Sequence, residues 1–132
     1  MKNYFLIVFT LVVTATAYSQ TSNSKVVTNL NAERFKAAAY SDKNAVILDL
    51  RTTEEIKSKG YIKGATQLDF LAKDAEKKID LLDKKKTYYI YCAGGGRSGE
   101  CAEYMEKKGF TRVFNLEKGF SEWQGKGFPV EK

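Results

Sequence analysis

Strand-like and helix-like segments alternate along this chain, and that alternation predicts an α/β domain built on a parallel sheet. Two further observations support this class. The run from Ala45 to Leu50 is continuously apolar, as in a strand covered on both faces. The segments between such runs carry helix start and stop residues in the expected places. With 132 residues, the chain is long enough for one domain around one core and too short for two. It has no internal repeat and only one Pro, so collagen-like and low-complexity classes are excluded.

Taken in order, the chain opens on an address. A Lys at position 2 precedes an apolar run from Tyr4 to Val13, and small residues follow. This describes a secretory signal peptide over residues 1–19, cleaved after Ala17 or after Ser19. The apolar run is shorter than the roughly 20 residues a membrane span needs. The expectation is therefore an exported, periplasmic protein with no stable membrane span; retention of the segment as an anchor is the alternative. Residues 20–25 are polar and read as a flexible lead-in to a domain over residues 26–132.

Val26 and Val27 begin a short strand. Asn31 can cap a helix through Ala39, with Phe35 facing the core. The apolar strand that follows ends in Asp49-Leu50-Arg51. Thr52 and Glu55 form a capping box for a short helix, and Gly60 stops it. Ala65 to Leu68 reads as another strand, and Phe70 to Leu82 has helical spacing at Leu71, Ala75, Ile79 and Leu82. Thr87 to Cys92 is a strand rich in Tyr and Ile, where Tyr88, Tyr89 and Tyr91 suit strand packing and rim positions. A helix is expected from Ser98 to Lys108, ended by Gly109. A strand from Arg112 to Leu116 and a last short helix from Gly119 to Trp123 complete the series. Phe120 and Trp123 have the spacing of residues that close a core.

Composition narrows the chemistry. Histidine is absent, which removes Ser-His-Asp and Cys-His mechanisms and any His-ligated metal site. Two cysteines cannot build a disulfide framework or a four-thiolate zinc site, so no metal and no cofactor is expected. The net charge of +6 comes mostly from dispersed Lys without dense Arg or interleaved aromatics. That pattern reads as a solvated surface and not as a nucleic-acid interface, although a positive field can attract a small anion. What remains is a thiol or hydroxyl nucleophile tuned by its surroundings.

The segment Tyr-Ile-Tyr-Cys-Ala-Gly-Gly-Gly-Arg-Ser-Gly, from Tyr89 to Gly99, supplies such a nucleophile. Cys92 ends a strand, and in parallel sheets ligands bind beyond the carboxyl ends of strands. Ala93, Gly94, Gly95 and Gly96 let the backbone turn back with its N–H groups inward, as an anion-binding nest. A helix beginning at Ser98 adds its positive dipole end, and Arg97 adds a full charge and a bidentate donor. A thiol at the rim of this cup should ionise below its free value of about 8.5. Cys92 is thus a candidate nucleophile that needs no histidine. The same residues, Gly94 to Gly99, also match G-x-G-x-x-G, with Glu117 at a following strand end. The chain left after Glu117 is too short for the further strand–helix units of a dinucleotide fold.

Four segments in order make the chain resemble the single-domain rhodanese family of sulfurtransferases, from about Val26 to Val130. They are Asp49-Leu50-Arg51; Gly60-Tyr61-Ile62-Lys63-Gly64-Ala65; the C-x-x-G-x-R-S loop from Cys92 to Ser98; and Leu116 to Trp123 followed by Gly127-Phe128-Pro129-Val130. Two positions depart from the family pattern: Tyr61 stands for a His, and Lys118 for the first Gly of a pair. The resemblance implies a central parallel sheet of about five strands flanked by helices on both faces. It further implies that Cys92 accepts a sulfane sulfur as a persulfide and passes it to an acceptor such as cyanide or a thiol. The N–H groups from Ala93 to Ser98 would bind the sulfur or the donor anion. Arg97 would either bind donor charge or hold the loop closed. Four residues separate Cys92 from Arg97, one fewer than in the loops of related phosphatases and arsenate reductases, which favours sulfur over a tetrahedral oxyanion. The donor stays open between thiosulfate and persulfides.

Asp49 and Arg51, at a neighbouring strand end, either brace the loop or serve only local structure. Cys101 is either a small buried residue on the following helix or a resolving thiol for Cys92. Two other functional classes remain beside the sulfurtransferase: a sulfur-relay or binding module that serves a periplasmic protein partner, and a thiol redox protein using Cys92 and Cys101.

Overall fold

The computed structural model of the protein describes residues 24–132. The signal segment with its cleavage points at Ala17 and Ser19, and most of the lead-in, lie outside the described residues. Five parallel strands form the central sheet: β1 (Val27–Leu30), β2 (Ala45–Asp49), β4 (Ala65–Gln67), β5 (Thr87–Tyr91) and β6 (Arg112–Leu116), in the order β1-β6-β5-β2-β4. This is the expected α/β class.

Helices cover both faces, and strand alternation decides which side chain faces which layer. On one face Leu48, Tyr88, Ile90, Cys92 and Val113 pack with α3 (Ala75–Asp80) and α4 (Gly96–Lys107) through Ala75, Ile79, Cys101, Ala102 and Met105. On the other, Ile47, Tyr89, Tyr91 and Leu116 pack with α1 (Ala32–Ser41) and α5 (Gly119–Gly125) through Phe35, Phe120 and Trp123. Asn31 caps α1 as expected, its side chain accepting from Arg34 N at 2.9 Å. The capping box of α2 (Thr53–Lys59) is formed, and the N–H of Gly60 closes its C-terminus on the Ile56 carbonyl at 2.7 Å.

Several expectations are corrected. Only Ala75–Asp80 of the segment from Phe70 to Leu82 is an α-helix. Phe70 N instead donates to the Leu50 carbonyl, and the Asp69 side chain accepts from Leu71 N, which turns the chain and leaves Leu71 exposed. α4 begins at Gly96, two residues before Ser98. The three sheet tyrosines are fully buried and none forms a rim. A second, two-stranded sheet was not legible in the sequence: β3 (Tyr61–Ile62) pairs antiparallel with β7 (Val130–Glu131). Strands of two residues carry no periodicity to read. Gly60, at φ 79°, makes this approach feasible, because a Cβ there would meet the Glu131 carbonyl oxygen.

Candidate active site

The Cys92 loop leaves the central strand β5 and enters α4. Its conformation rests on one of its three glycines. Gly95 has φ 102°, and a Cβ there would meet the carbonyl of Glu117. Gly94 and Gly96 have no positive φ, and a Cβ at either would point into open space. The turn that packs against the loop has a matching requirement. Gly119, at φ 68°, passes so close to Ala93 and Gly94 that a Cβ would meet the Ala93 carbonyl. Two backbones thus touch where side chains would separate them. Lys118, in place of a glycine, has φ −100° and needs no glycine freedom.

The start of α5 takes up the carbonyls of the loop. Phe120 N donates to the Cys92 carbonyl at 2.8 Å, and both the N–H and the hydroxyl of Ser121 donate to Ala93 O at 3.0 Å. With the carbonyls held from outside, the N–H groups turn inward. Gly95 N lies 3.1 Å and Ser98 N 3.4 Å from Cys92 Sγ, and Ser98 Oγ is 3.5 Å from it. Cys92 is 1% exposed, so its sulfur forms the floor of the cup and not its rim. Burial pushes this thiol up, but the donors from Ser98, Gly95 and Gly94 together outweigh it and bring it below the ordinary cysteine value. Cys101 is wholly buried, and burial, reinforced by the charge of Cys92, pushes its thiol up to about 12.

Arg97 does not face the sulfur alone. Glu55, on α2, accepts from Arg97 Nη1 at 2.8 Å and Nη2 at 2.7 Å. The same carboxylate accepts from Thr52 N at 2.9 Å, as the partner of the capping box. The Arg97 guanidinium holds Glu55 down at about 2. Glu55 is the site residue that sequence reading missed. The Thr-x-x-Glu signal identified its cap, but nothing local points to a partner 42 positions away.

Asp49 and Arg51 form a buried, two-pronged ion pair at 2.7 and 2.9 Å. Arg51 also donates to the Gly60 carbonyl at 2.7 Å, and its guanidinium lies 4.0 Å from the centre of the Phe120 ring. Asp49 accepts from Tyr91 Oη at 2.7 Å, and Tyr91 Oη accepts from Ile62 N. Burial, reinforced by Asp49, drives the Tyr91 phenol well above its ordinary value, so it stays a neutral donor. The pair touches the loop only through its neighbours: Arg51 supports Phe120, and Phe120 holds Cys92.

Comparison with known proteins agrees with this geometry. Residues 31–126 match the family model of the rhodanese-like domain. The chain is 34% identical over 104 residues to the putative sulfur carrier protein YrkF of Bacillus subtilis, covering 79% of this chain and 55% of that protein, about half its length. It is 28% identical over 105 residues to a sulfurtransferase of Allochromatium vinosum, covering 80% of this chain and 95% of that one. The crystal structure of a rhodanese-like domain protein from Staphylococcus aureus superposes with a TM-score of 0.65 at 30% identity, over 79% of this chain and 98% of the other. A match over most of the chain, on a parallel sheet that ends in a cysteine-floored loop, places this protein in the rhodanese-like domain family.

Proposed function

We propose that this protein is an exported sulfurtransferase that carries sulfane sulfur as a persulfide on Cys92. The observation that carries the reading is the cup of inward N–H groups around Cys92 Sγ. These donors favour the thiolate, the form that attacks sulfur. The thiolate attacks the outer sulfur of a donor, thiosulfate or a persulfide. The donor's sulfur–sulfur bond breaks, and sulfite or a thiolate leaves with the electron pair. A thiol or cyanide then attacks the outer sulfur of the Cys92 persulfide, and the Cys92 thiolate is regenerated. No net oxidant is needed. Family membership and the sulfur-carrier and sulfurtransferase names of relatives support this reading.

A second reading, a relay module that yields its sulfur only to a periplasmic partner, is favoured by the likeness to a putative sulfur carrier. The redox reading is weakened by Cys101, whose thiol is buried and held protonated. The test is the intact mass of the protein after thiosulfate or a persulfide donor, beside Cys92→Ser, with cyanide added afterwards. We expect one added sulfur on the wild type alone, followed by repeated thiocyanate release. Loading without repeated release identifies the relay module. Absence of loading from every donor overturns the persulfide mechanism.

A further inference from the structure

Cys92 lies in a positively charged protein, yet the two arginines beside its loop, Arg97 and Arg51, are both held in ion pairs. Arg97, the one charged residue of the loop, has both terminal nitrogens on the Glu55 carboxylate. Arg51 is consumed by Asp49. On the turn that packs against the loop, Glu117 and Lys118 are exposed and opposite in sign. The carboxylate of Asp69, in the loop after β4, adds a smaller stabilisation to Arg97. The mouth over the sulfur is also bare, because Gly94 and Gly96 are exposed and face open space.

We infer that Glu55 is a specificity-determining residue that selects the sulfur donor by charge. It cancels Arg97, so the site disfavours the dianion thiosulfate and takes an organic persulfide in its neutral form, R–S–SH, with no charged substituent near its sulfurs. This rests on the sulfurtransferase reading above. The energetic basis is Coulombic. A doubly charged donor approaching a thiolate is repelled unless a cation offsets the charge, and here the cation is already paired. The N–H groups of Gly95 and Ser98 are already engaged by the Cys92 sulfur, so they do not replace that cation. The bare glycine rim leaves room for the R group. The transfer balances without a co-reactant: the Cys92 thiolate bonds to the outer sulfur, the S–S bond of the donor breaks, and RS⁻ leaves with the electron pair.

The experiment measures the second-order rate of one-sulfur loading on Cys92, by intact mass, with two donors: thiosulfate and ethyl persulfide. The proteins are wild type and Glu55→Gln. Gln at position 55 retains the capping-box acceptor. The expected result is a thiosulfate rate that falls more steeply with added salt in Glu55→Gln than in the wild type, because the uncovered charge of Arg97 is what salt screens. Glu55→Gln should raise the ratio of thiosulfate to persulfide loading by about threefold or more. An unchanged ratio in this variant, with Cys92 still loading, overturns charge selection and leaves the sulfurtransferase reading standing. Equal salt dependence in the two proteins does the same. Failure of the wild type to load from either donor overturns the underlying reading instead.

Discussion

Cys92 and Cys101 share a core cluster and are both buried, yet their chemistry is opposite. The difference is hydrogen bonding. Cys92 receives N–H groups and a hydroxyl that stabilise the thiolate, whereas Cys101 has burial without compensating donors. Alkylation of the folded protein by iodoacetamide should therefore modify Cys92 alone. Its rate should climb with pH and level off with a midpoint below that of an ordinary cysteine thiol, because the thiolate is the reacting form and its proton is lost early. Cys101 should react only after unfolding. Peptide mapping across a pH series checks both statements, and equal labelling of the two would show that the donors around Cys92 do not act as described. Glu55 is the other residue whose meaning changed on folding. Its Thr52 cap is local, and its grip on Arg97 is tertiary. With a pKa of about 2, Glu55 stays ionised as pH falls through the ordinary carboxylate range, so the pair is present at neutral pH.

At the scale of elements, the site is a contact between two backbones: the loop from β5 to α4 and the turn from β6 to α5. Gly95 and Gly119 are the positions where that contact tolerates no Cβ. Ala at either should cost more than the roughly 1–2 kcal/mol of a positive φ alone, since a backbone must also shift. Loading of Cys92 should fall with stability, because the inward N–H groups move with the loop. Ala at Gly94 or Gly96 should change stability by less than about 1 kcal/mol, and Gly96, at the first helical position, gains helix propensity. Urea titration of the four single variants decides this, and a uniform cost across them would remove the distinction. The glycine run reads in sequence as a flexible stretch. Only packing against Glu117 and Ala93 separates the obligatory glycine from its neighbours.

Across the whole molecule, the buried Asp49–Arg51 pair ties the sheet end to the small β3–β7 ribbon through Gly60 and to α5 through Phe120. Removing one member leaves the other charge without its partner in the interior, which typically costs about 3–5 kcal/mol. Domains of this size are stable by only about 5–15 kcal/mol, so the loss is a large share. Arg51→Met should lower the urea midpoint accordingly. The sulfur-loading rate measured well below that midpoint should fall less than tenfold, because Arg51 reaches Cys92 only indirectly, through Phe120 and Tyr91. A loss of activity without a loss of stability would instead make Arg51 a direct participant.

The α/β class, the central strands, the Asn31 and Thr52 caps and the Cys92 loop are all determined by the sequence alone, because each is written within a few neighbouring residues. Apolar runs, capping pairs and glycines act over one turn or one strand. The tertiary structure decided the rest: which acid neutralises Arg97, which glycine the loop requires, where the β3–β7 ribbon pairs, and how deep the sulfur lies. These depend on groups far apart in the chain that meet only when the sheet and its helices pack. No local pattern encodes a distance of 2.7 Å between Glu55 and Arg97.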